Sequence, residues 1–380
     1  MTTNRRLALA QRPHGLLAEA DVRLEEVALP DLEEGEALMR TTYLSIDPTV
    51  RTWVSEARSY FPPVQIGEVV RCSGTGVIVD SRAEGLAVGD LVYSLPGWQE
   101  HAVVRDDVFT TKLDPGTDLL AALGVLGNNG ITAWIGMLDI GQPEEGQTVV
   151  FSAAAGATGS IAGQLARLRG CRVVGIAGRD DKCAFVVDEL GFDACVNHRS
   201  PDFVEELRAA TPDRVDVYFD NVGGPVLDAV LRRLAMNARV VLCGAIAVYN
   251  AEHRPPGPAN YLELITFRAR MEGFNAFDHW DRFGEITHEL SALLDAGRLV
   301  HREHVLDGLE RAPEALNMLF TGDNTGKLVV QVSPAASDAY QGQSDDDTSR
   351  ARSRRACSVA GRNASSTPAT LHGESGEGRT

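Results

Sequence analysis

Between Thr148 and about residue 246, short apolar segments alternate with amphipathic ones, and this alternation limits the folds open to the chain. The apolar segments have the length of buried strands, whereas segments such as GSIAGQLARLRG and PVLDAVLRRLA show the apolar spacing of helices. Strand, helix and strand in repeated succession form right-handed crossovers and a parallel sheet. We therefore predict an α/β fold whose parallel sheet is covered by helices on both faces.

The stretch FSAAAGATGS lies where the first of these strands turns into a helix. In a dinucleotide-binding turn, one glycine lets the backbone approach the pyrophosphate and another lets the helix pack on the strand. Gly156 and Gly159 occupy these two positions, while Ala154 replaces the first glycine of the pattern. Alanine is acceptable there if the turn needs no positive φ. An ordinary turn would show the same spacing, but the strand before it and the helix and strand after it favour cofactor binding.

The end of the second strand indicates which cofactor is bound. An acidic residue about 20 residues beyond the turn would hold the adenine ribose of NAD, but the chain has Gly178 there. Arg179 and Lys182 follow, and their charges could neutralise a ribose 2′-phosphate, which favours NADP. Alternatively, both cations only flank a solvated helix start together with two neighbouring aspartates.

The first part of the chain has a different pattern, with short β-branched runs such as GTGVIVDS and GDLVYSL between turn-forming residues. This pattern predicts a compact β-rich domain, to which the late strand GKLVVQVS returns. We place one domain at residues 1–125, completed by 300–333, and the cofactor-binding domain at 126–299. Residues 334–380 are rich in Ser, Gly, Ala and charge, and we predict a disordered tail.

Charge and cysteine content restrict the possible partners and the compartment. The formal net charge of −17 opposes non-specific binding to nucleic acid or to an anionic membrane surface. No apolar run approaches the roughly 20 residues that cross a bilayer, and the apolar part after Arg5-Arg6 is too short for an export signal. The six cysteines form no CxxC motif. They indicate reduced thiols, so we predict a cytoplasmic protein with no nucleic-acid or membrane partner.

Seven stretches give the chain a specific resemblance over residues 5–333: YLSIDPTVR, SYFPPVQIGEVV, LGVLGNNGITAW, SAAAGATGSIAGQLA, YFDNVGG, CGAIAVYN and GDNTGKLVV. In these stretches it resembles the zinc-independent medium-chain dehydrogenases/reductases. Within them it is similar to the alkenal and alkenone reductases, which include the leukotriene B4 dehydrogenase/prostaglandin reductase, plant double-bond reductase and bacterial curcumin reductase groups. The resemblance implies a Rossmann NADP-binding domain, with its doubly wound sheet, and a GroES-like β-rich catalytic domain. It also implies an active site between the two and a homodimer.

The resemblance also implies which residues bind NADP(H). It assigns Lys182 to the 2′-phosphate, and the DNVGG and CGAI stretches to the neighbourhood of the nicotinamide. The full predicted set is Gly156, Ala157, Thr158, Gly159, Gly178, Lys182, His198, Asn221, Cys243, Gly244, Ile246, Tyr249 and Asn324. His198 stands where many members have tyrosine, and Asn128-Asn129 replace a common Met-Pro. Ala154 is normal for the family.

The zinc ligands of many alcohol dehydrogenases in this superfamily are missing from the sequence. IGEVVRCSG lacks the usual Gly-His-Glu, Cys72 has no partners at metal-ligand spacing, and His101 is a lone imidazole. Conjugate reduction needs no metal, because a hydride from NADPH reaches the β carbon and hydrogen-bond donors stabilise the enolate. We therefore predict an enzyme without a metal that reduces the carbon–carbon double bond of α,β-unsaturated aldehydes and ketones.

Tyr249 and Tyr60 are the candidate catalytic donors. Tyr249 follows a strand that ends at the carboxyl edge of the sheet, where α/β proteins bind ligands, and Tyr60 lies in SYFPPV. Both match active-site tyrosines of curcumin-reductase-like members, and a tyrosine hydroxyl can donate to an enolate oxygen. Each could instead be a packing residue. Asp47 and Arg51 are expected to pair and fix a loop, although Arg51 could also bind a substrate carboxylate.

Two other functions are compatible with most of these features. A zinc-independent quinone oxidoreductase would share the cofactor site and pass electrons to a quinone. A non-catalytic NADP-binding sensor or structural protein would use the same fold. Tyr60 and Tyr249 favour the reductase, and turnover of an enone distinguishes the three functions.

Overall fold

The computed structural model describes residues 3–56, 59–251, 253 and 255–334. The predicted disordered tail lies, apart from its first residue, outside the described residues. Within the described ranges, no helix has both the length and the apolar character that a membrane span requires.

The amino-terminal part is β-rich, because β-branched residues alternate with small ones between turn-forming glycines. Its strands are β1 (Thr3–Leu9), β2 (Val22–Ala28), β3 (Glu36–Ser45), β4 (Gly74–Ser81), β5 (Leu91–Ser94), β6 (His101–Arg105) and β7 (Thr111–Lys112). Its short helices are α1 (Thr49–Trp53) and α2 (Leu119–Leu123). β1 and β2 form an antiparallel pair, and β3 pairs antiparallel with both β4 and β6.

The middle of the chain forms the predicted parallel sheet. Its strands are β8 (Thr148–Ser152), β9 (Arg172–Ala177), β10 (Ala194–Asn197), β11 (Val215–Asp220), β12 (Leu234–Leu242) and β13 (Arg270–Gly273). They lie in the order β10-β9-β8-β11-β12-β13, so the direction of winding reverses between β8 and β11. Such a switch point opens a crevice at the carboxyl ends of the strands, and the predicted doubly wound fold is confirmed.

Helices connect and cover these strands. They are α3 (Asn128–Trp134), α4 (Ala157–Leu168), α5 (Asp180–Asp188), α6 (Phe203–Ala210), α7 (Gly224–Leu231), α8 (Glu263–Thr266) and α9 (Phe283–Asp295). α3 continues as a π-helical segment over Ile135–Gly141. Beneath α3 and α4, the buried rings of Phe151 and Phe219 stack with their centroids 5.9 Å apart. This contact fixes β8 against β11, and the carboxyl ends of both strands border the site.

The last elements return to the β-rich sheet. They are β14 (Glu303–Asp307), α10 (Ala312–Thr321) and β15 (Lys327–Gln331). β15 pairs antiparallel with β3 and parallel with β14, which gives the strand order β14-β15-β3-β4-β5-β7. GKLVVQVS therefore contributes a strand to this sheet, while the domain limits given above stay a prediction.

Candidate active site

A cavity of about 520 Å³ opens where the carboxyl ends of the parallel strands face the loop after β3. Both sheets contribute to its wall. All the residues predicted to bind the cofactor or to donate a proton line it: Tyr60, Gly156, Ala157, Thr158, Gly159, Gly178, Lys182, His198, Asn221, Cys243, Gly244, Ile246, Tyr249 and Asn324. The structure thus brings together residues that are up to 264 positions apart in the sequence, from Tyr60 to Asn324 (324 − 60 = 264).

The turn after β8 forms a close backbone cradle. Gly156 caps α4 with a φ of −88°, and the left-handed residue of the turn is Ala153, with a φ of 50°. Ala154 is not among the described residues with positive φ, so alanine causes no strain at that position. A Cβ on Gly159 would lie 2.5 Å from the Ala153 carbonyl oxygen. Glycine is therefore required for α4 to pack this closely, as a dinucleotide-binding turn demands.

Lys182 and Arg199 converge at one end of the cavity. A Cβ built on Gly322 would lie 3.4 Å from Arg199 Nη2 and 3.9 Å from Lys182 Nζ. Burial, together with the charges of Arg179 and Arg199, lowers the pKa of Lys182. In the part of the chain that the structure describes, no carboxylate forms an ion pair with Lys182 or Arg199, whereas Arg179 pairs with a neighbouring aspartate. Asp181 and Asp323 lie within electrostatic range of Lys182 without pairing with it, so its positive charge is available to a phosphate group.

This cationic end differs from the sequence prediction in two residues. Arg179, predicted to act with Lys182, is salt-bridged to Asp181 at 2.5 Å and does not line the cavity. Arg199 does line it, and its Nη2 also donates to a carbonyl oxygen at the end of α10. The sequence signal for Arg199 was its place two residues after β10, which ends at the same edge of the sheet as β9. A Cβ on Gly178 would lie 3.0 Å from His198 Nε2, so glycine there makes room for His198.

Side-chain amides fix the loops around the middle of the cavity. Asn221 Nδ2 donates to the Ser152 carbonyl at 2.8 Å and ties the end of β11 to β8. Asn324 is buried, and its Nδ2 donates to the Gly326 carbonyl at 3.1 Å. The Gly326 N–H in turn donates to the Ala155 carbonyl at 2.8 Å. The loop before β15 is thereby held against the turn after β8.

Tyr249 follows a short 3-10 helix at Ile246–Val248, beyond the carboxyl end of β12. Its hydroxyl oxygen accepts the Ala245 N–H at 3.1 Å, which leaves its own hydrogen free to donate. Burial raises the pKa of Tyr249 and raises the pKa of the nearby Cys243 to about 12. Tyr249 is therefore a neutral hydrogen-bond donor near pH 7.

Aromatic side chains surround Tyr60 where it lines the cavity. Its ring centroid lies 6.1 Å from Trp53, 5.4 Å from Phe61 and 6.2 Å from Phe277. Tyr60 is 53% exposed because it borders an open cavity, but the surrounding protein atoms desolvate its hydroxyl and raise its pKa to about 12. This wall favours an apolar molecule with few polar groups, and Tyr60 supplies a protonated hydroxyl beside it.

Asp47 forms an ion pair with Lys327, so the prediction that Asp47 pairs with Arg51 is wrong. Lys327 Nζ lies 2.7 Å from Asp47 Oδ1, and the lysine side chain is only 3% exposed. Burial alone would raise the pKa of Asp47, but Lys327 and hydrogen bonds from Ser45 and Asn129 lower it overall. The ion pair joins the start of β15 to the loop after β3.

Arg51 hydrogen-bonds to backbone and amide oxygens instead. Its Nε donates to the Gly15 carbonyl and to Asn250 Oδ1, both at 2.9 Å, and its Nη2 donates to the Pro13 carbonyl at 3.1 Å. The side chain is buried, so it is not placed to bind a substrate carboxylate. Its contact with Asn250 holds the residue that follows Tyr249.

Within the described ranges, no group of three or more His, Cys, Asp or Glu side chains is placed to hold a metal ion. His101 is buried in β6, and its Nδ1 finds no hydrogen-bond partner among the described residues. Burial lowers the pKa of His101 and raises that of Cys72 well above its usual value. Both side chains are therefore neutral near pH 7.

Comparison with known proteins places this chain in a family. A model described as the N-terminal domain of oxidoreductase matches residues 5–111, and a model described as zinc-binding dehydrogenase matches residues 157–292. The chain is 42% identical to NADPH-dependent curcumin reductase of Escherichia coli (strain K12), over 87% of this chain and 97% of that protein. It is 35% identical to 2-alkenal reductase (NADP(+)-dependent) of Nicotiana tabacum, over 87% of this chain and 98% of that protein.

A solved structure shows the same architecture. The crystal structure of CurA in complex with NADPH from Vibrio vulnificus superposes with a TM-score of 0.83 and 41% identity. The match covers 87% of this chain and 99% of that one. On these similarities, the protein belongs to the medium-chain dehydrogenase/reductase family, in the group that contains curcumin reductase and 2-alkenal reductase.

Proposed function

We propose that this protein uses NADPH to reduce the carbon–carbon double bond of α,β-unsaturated aldehydes and ketones. The observation that carries the proposal is the set of residues that line one cavity. Its wall contains the glycine turn at the start of α4, two cations with which no described carboxylate forms an ion pair, and two protonated tyrosine hydroxyls near aromatic side chains. The names of the related reductases and the NADPH complex of CurA support the same cofactor and the same class of reaction.

The cavity wall suggests how each part of the cofactor is held. We assign the pyrophosphate to the turn of Gly156, Ala157, Thr158 and Gly159, where backbone N–H groups at the start of α4 favour anions. Lys182 and Arg199 would hold the 2′-phosphate, and Gly178 and His198 would contact the adenosine. The nicotinamide half belongs to the remaining predicted residues, namely Asn221, Cys243, Gly244, Ile246, Tyr249 and Asn324.

The chain's own residues stabilise the charge that develops on the substrate. When bound, NADPH supplies a hydride to the β carbon of the double bond. Tyr60 and Tyr249 keep their protons because their pKa values are raised, and their hydroxyls donate to the enolate oxygen. The α carbon then receives a proton from one of these hydroxyls or from water.

We also propose that the protein forms a homodimer and that it is located in the cytoplasm. β13 is the edge strand of the parallel sheet, and residues just before it expose apolar side chains: Tyr261 and Leu262 are each 56% exposed and Ile265 is 73% exposed. An edge strand beside exposed apolar residues favours association with a second copy. The cysteines of the described part are all free, which fits a reducing compartment.

Consumption of NADPH, followed by its absorbance, tests the proposed function. The panel contains a 2-alkenal, an aryl enone and a quinone, and each is repeated with NADH. We expect NADPH oxidation with the enal and enone, a saturated carbonyl product, and much slower oxidation of NADH. Turnover of the quinone alone would support a quinone oxidoreductase. NADPH binding without turnover of any acceptor would support a sensor or structural protein.

A further inference from the structure

Two thiols that the proposed reaction does not use meet between α5 and β10. Cys183 lies in the first turn of α5, Cys195 lies in β10, and both are partly exposed. The Cys195 thiol donates a hydrogen bond to the Cys183 sulfur. The two sulfur atoms are therefore in direct contact.

The packing of α5 on the sheet holds these sulfur atoms together. Cys195 pairs with Gly175 of β9. A Cβ on Gly175 would lie 2.9 Å from Val186 Cγ1 and 3.1 Å from Cys195 Sγ, so Val186 and Cys195 meet above this glycine. Val186 lies three residues after Cys183, and residues at this spacing share one face of a helix. The same face of α5 therefore carries Cys183 onto β10.

The contact makes the two thiols unequal. The hydrogen bond from Cys195 lowers the pKa of Cys183, and a backbone hydrogen bond from Ala177 lowers it further, although burial opposes both. The same contact between the thiols, together with burial, raises the pKa of Cys195. A thiolate is the form that attacks an oxidant, and a neighbouring thiol can then complete a disulfide.

We propose that Cys183 and Cys195 form a reversible disulfide when a peroxide oxidises the protein. The Cys183 thiolate attacks a peroxide oxygen, the O–O bond breaks, and Cys183 becomes a sulfenic acid. The Cys195 sulfur then attacks the Cys183 sulfur, the S–S bond forms, and the oxygen leaves as water with the Cys195 proton. The two electrons that the thiols lose reduce the peroxide, and a dithiol reductant reverses the oxidation.

The disulfide acts on the cofactor site, because both of its elements lead to the cationic end. Lys182 directly precedes Cys183, and Arg199 follows Cys195 by four residues. An S–S bond of about 2.05 Å is shorter than a hydrogen-bonded contact between two sulfur atoms, so its formation draws α5 and β10 together and misplaces Lys182. This effect rests on the proposed function, whereas formation of the disulfide does not.

Mass spectrometry of the full-length protein tests the disulfide. Trypsin cuts after Lys182 and after Arg199, so one peptide contains both cysteines. After hydrogen peroxide and alkylation of the remaining thiols, we expect this peptide to be unalkylated and lighter by two hydrogens, and dithiothreitol to restore both thiols. Cys183→Ser and Cys195→Ser should each abolish this product. Cys171→Ser is the matched control and should still form it, because the Cys171 thiol donates to a carbonyl oxygen instead.

Binding of 2′,5′-ADP, which carries the 2′-phosphate without the nicotinamide half, tests the effect on the site. We expect its Kd to rise about tenfold on oxidation of the unaltered protein, the effect of losing one charge-assisted hydrogen bond. Cys195→Ser should bind it equally well before and after peroxide. If that variant does not fold, Cys183→Ser takes its place.

Several results would overturn the proposal. Alkylation of both cysteines after peroxide, or a sulfinic acid on Cys183 beside an alkylated Cys195, would exclude the disulfide, as would a bond from either to Cys357, which lies outside the described residues. A disulfide with an unchanged Kd for 2′,5′-ADP would exclude the effect on the cofactor site. Failure of the proposed function shows separately, as NADPH binding by the reduced protein without enone turnover.

Discussion

Tyr249 receives a hydrogen bond from the Ala245 backbone, so its own hydrogen is available to a substrate. Tyr249→Phe retains the ring and removes this donor. We expect kcat for enone reduction to fall about 100-fold, the usual effect of losing one donor to a developing oxyanion. The Kd for NADPH should change much less than kcat, because the ring stays in place. Tyr261→Phe, on an exposed residue outside the cavity, is the control and should behave like the unaltered protein.

The pKa of Tyr60 leads to a prediction about pH. An ordinary tyrosine, with a pKa of 10.0, loses half its protons at that pH, whereas Tyr60 has a pKa of about 12. A raised pKa favours the neutral form, so Tyr60 should remain a donor up to about pH 10. We expect no decline in kcat from this group between about pH 7 and about pH 10. A decline centred near pH 9 in the unaltered protein that Tyr60→Phe abolishes would contradict this assignment.

Local sequence patterns predicted the roles of residues whose contacts lie close by in the chain. They did not predict contacts between residues that are far apart in the sequence. Gly156 and Gly159 belong to one short motif, and the structure places them around the single turn after β8. Asp47 and Arg51 lie four residues apart, which suggested a pair, but the partner of Asp47 is 280 residues away in Lys327. Only the return of β15 to β3 brings these two charges together.

At the scale of elements, the ion pair of Lys327 with Asp47 couples β15 to the loop after β3. Lys327→Met should leave the Asp47 carboxylate without its cation in the protein interior. We expect the free energy of unfolding to fall by about 3 kcal/mol, measured by urea denaturation. The double variant Asp47→Asn/Lys327→Met should lose less, because it leaves no unpaired charge. If the double variant is less stable than the single variant Lys327→Met, the ion pair does not stabilise this junction.

The strands and amphipathic helices could be predicted from the periodicity of their apolar residues, because a strand buries one face and a helix buries one stripe. The π-helical extension of α3 could not be predicted in this way. A Cβ on Gly136 would lie 2.6 Å from ring atoms of both Phe219 and Phe274, so this segment is shaped by tight contacts with distant residues. Such contacts leave no periodic signal in the local sequence.

At the scale of the whole molecule, the exposed side chains before β13 predict how two copies meet. Ile265→Glu places a charge in this apolar surface, and we expect a shift from dimer to monomer in analytical ultracentrifugation. Val88→Glu alters an apolar side chain that is 64% exposed in the β-rich part and serves as the control. Identical sedimentation of both variants and the unaltered protein would contradict an interface at this edge.

The two sheets together form one cavity that holds both the proposed cofactor residues and the two tyrosines. The central claim is that this cavity directs a hydride to a carbon–carbon double bond. NADPH that carries deuterium at the transferred position of C4, incubated with the protein and an aryl enone, tests it by NMR of the product. We predict deuterium on the β carbon of a saturated ketone. Deuterium on the former carbonyl carbon of an alcohol would contradict the claim.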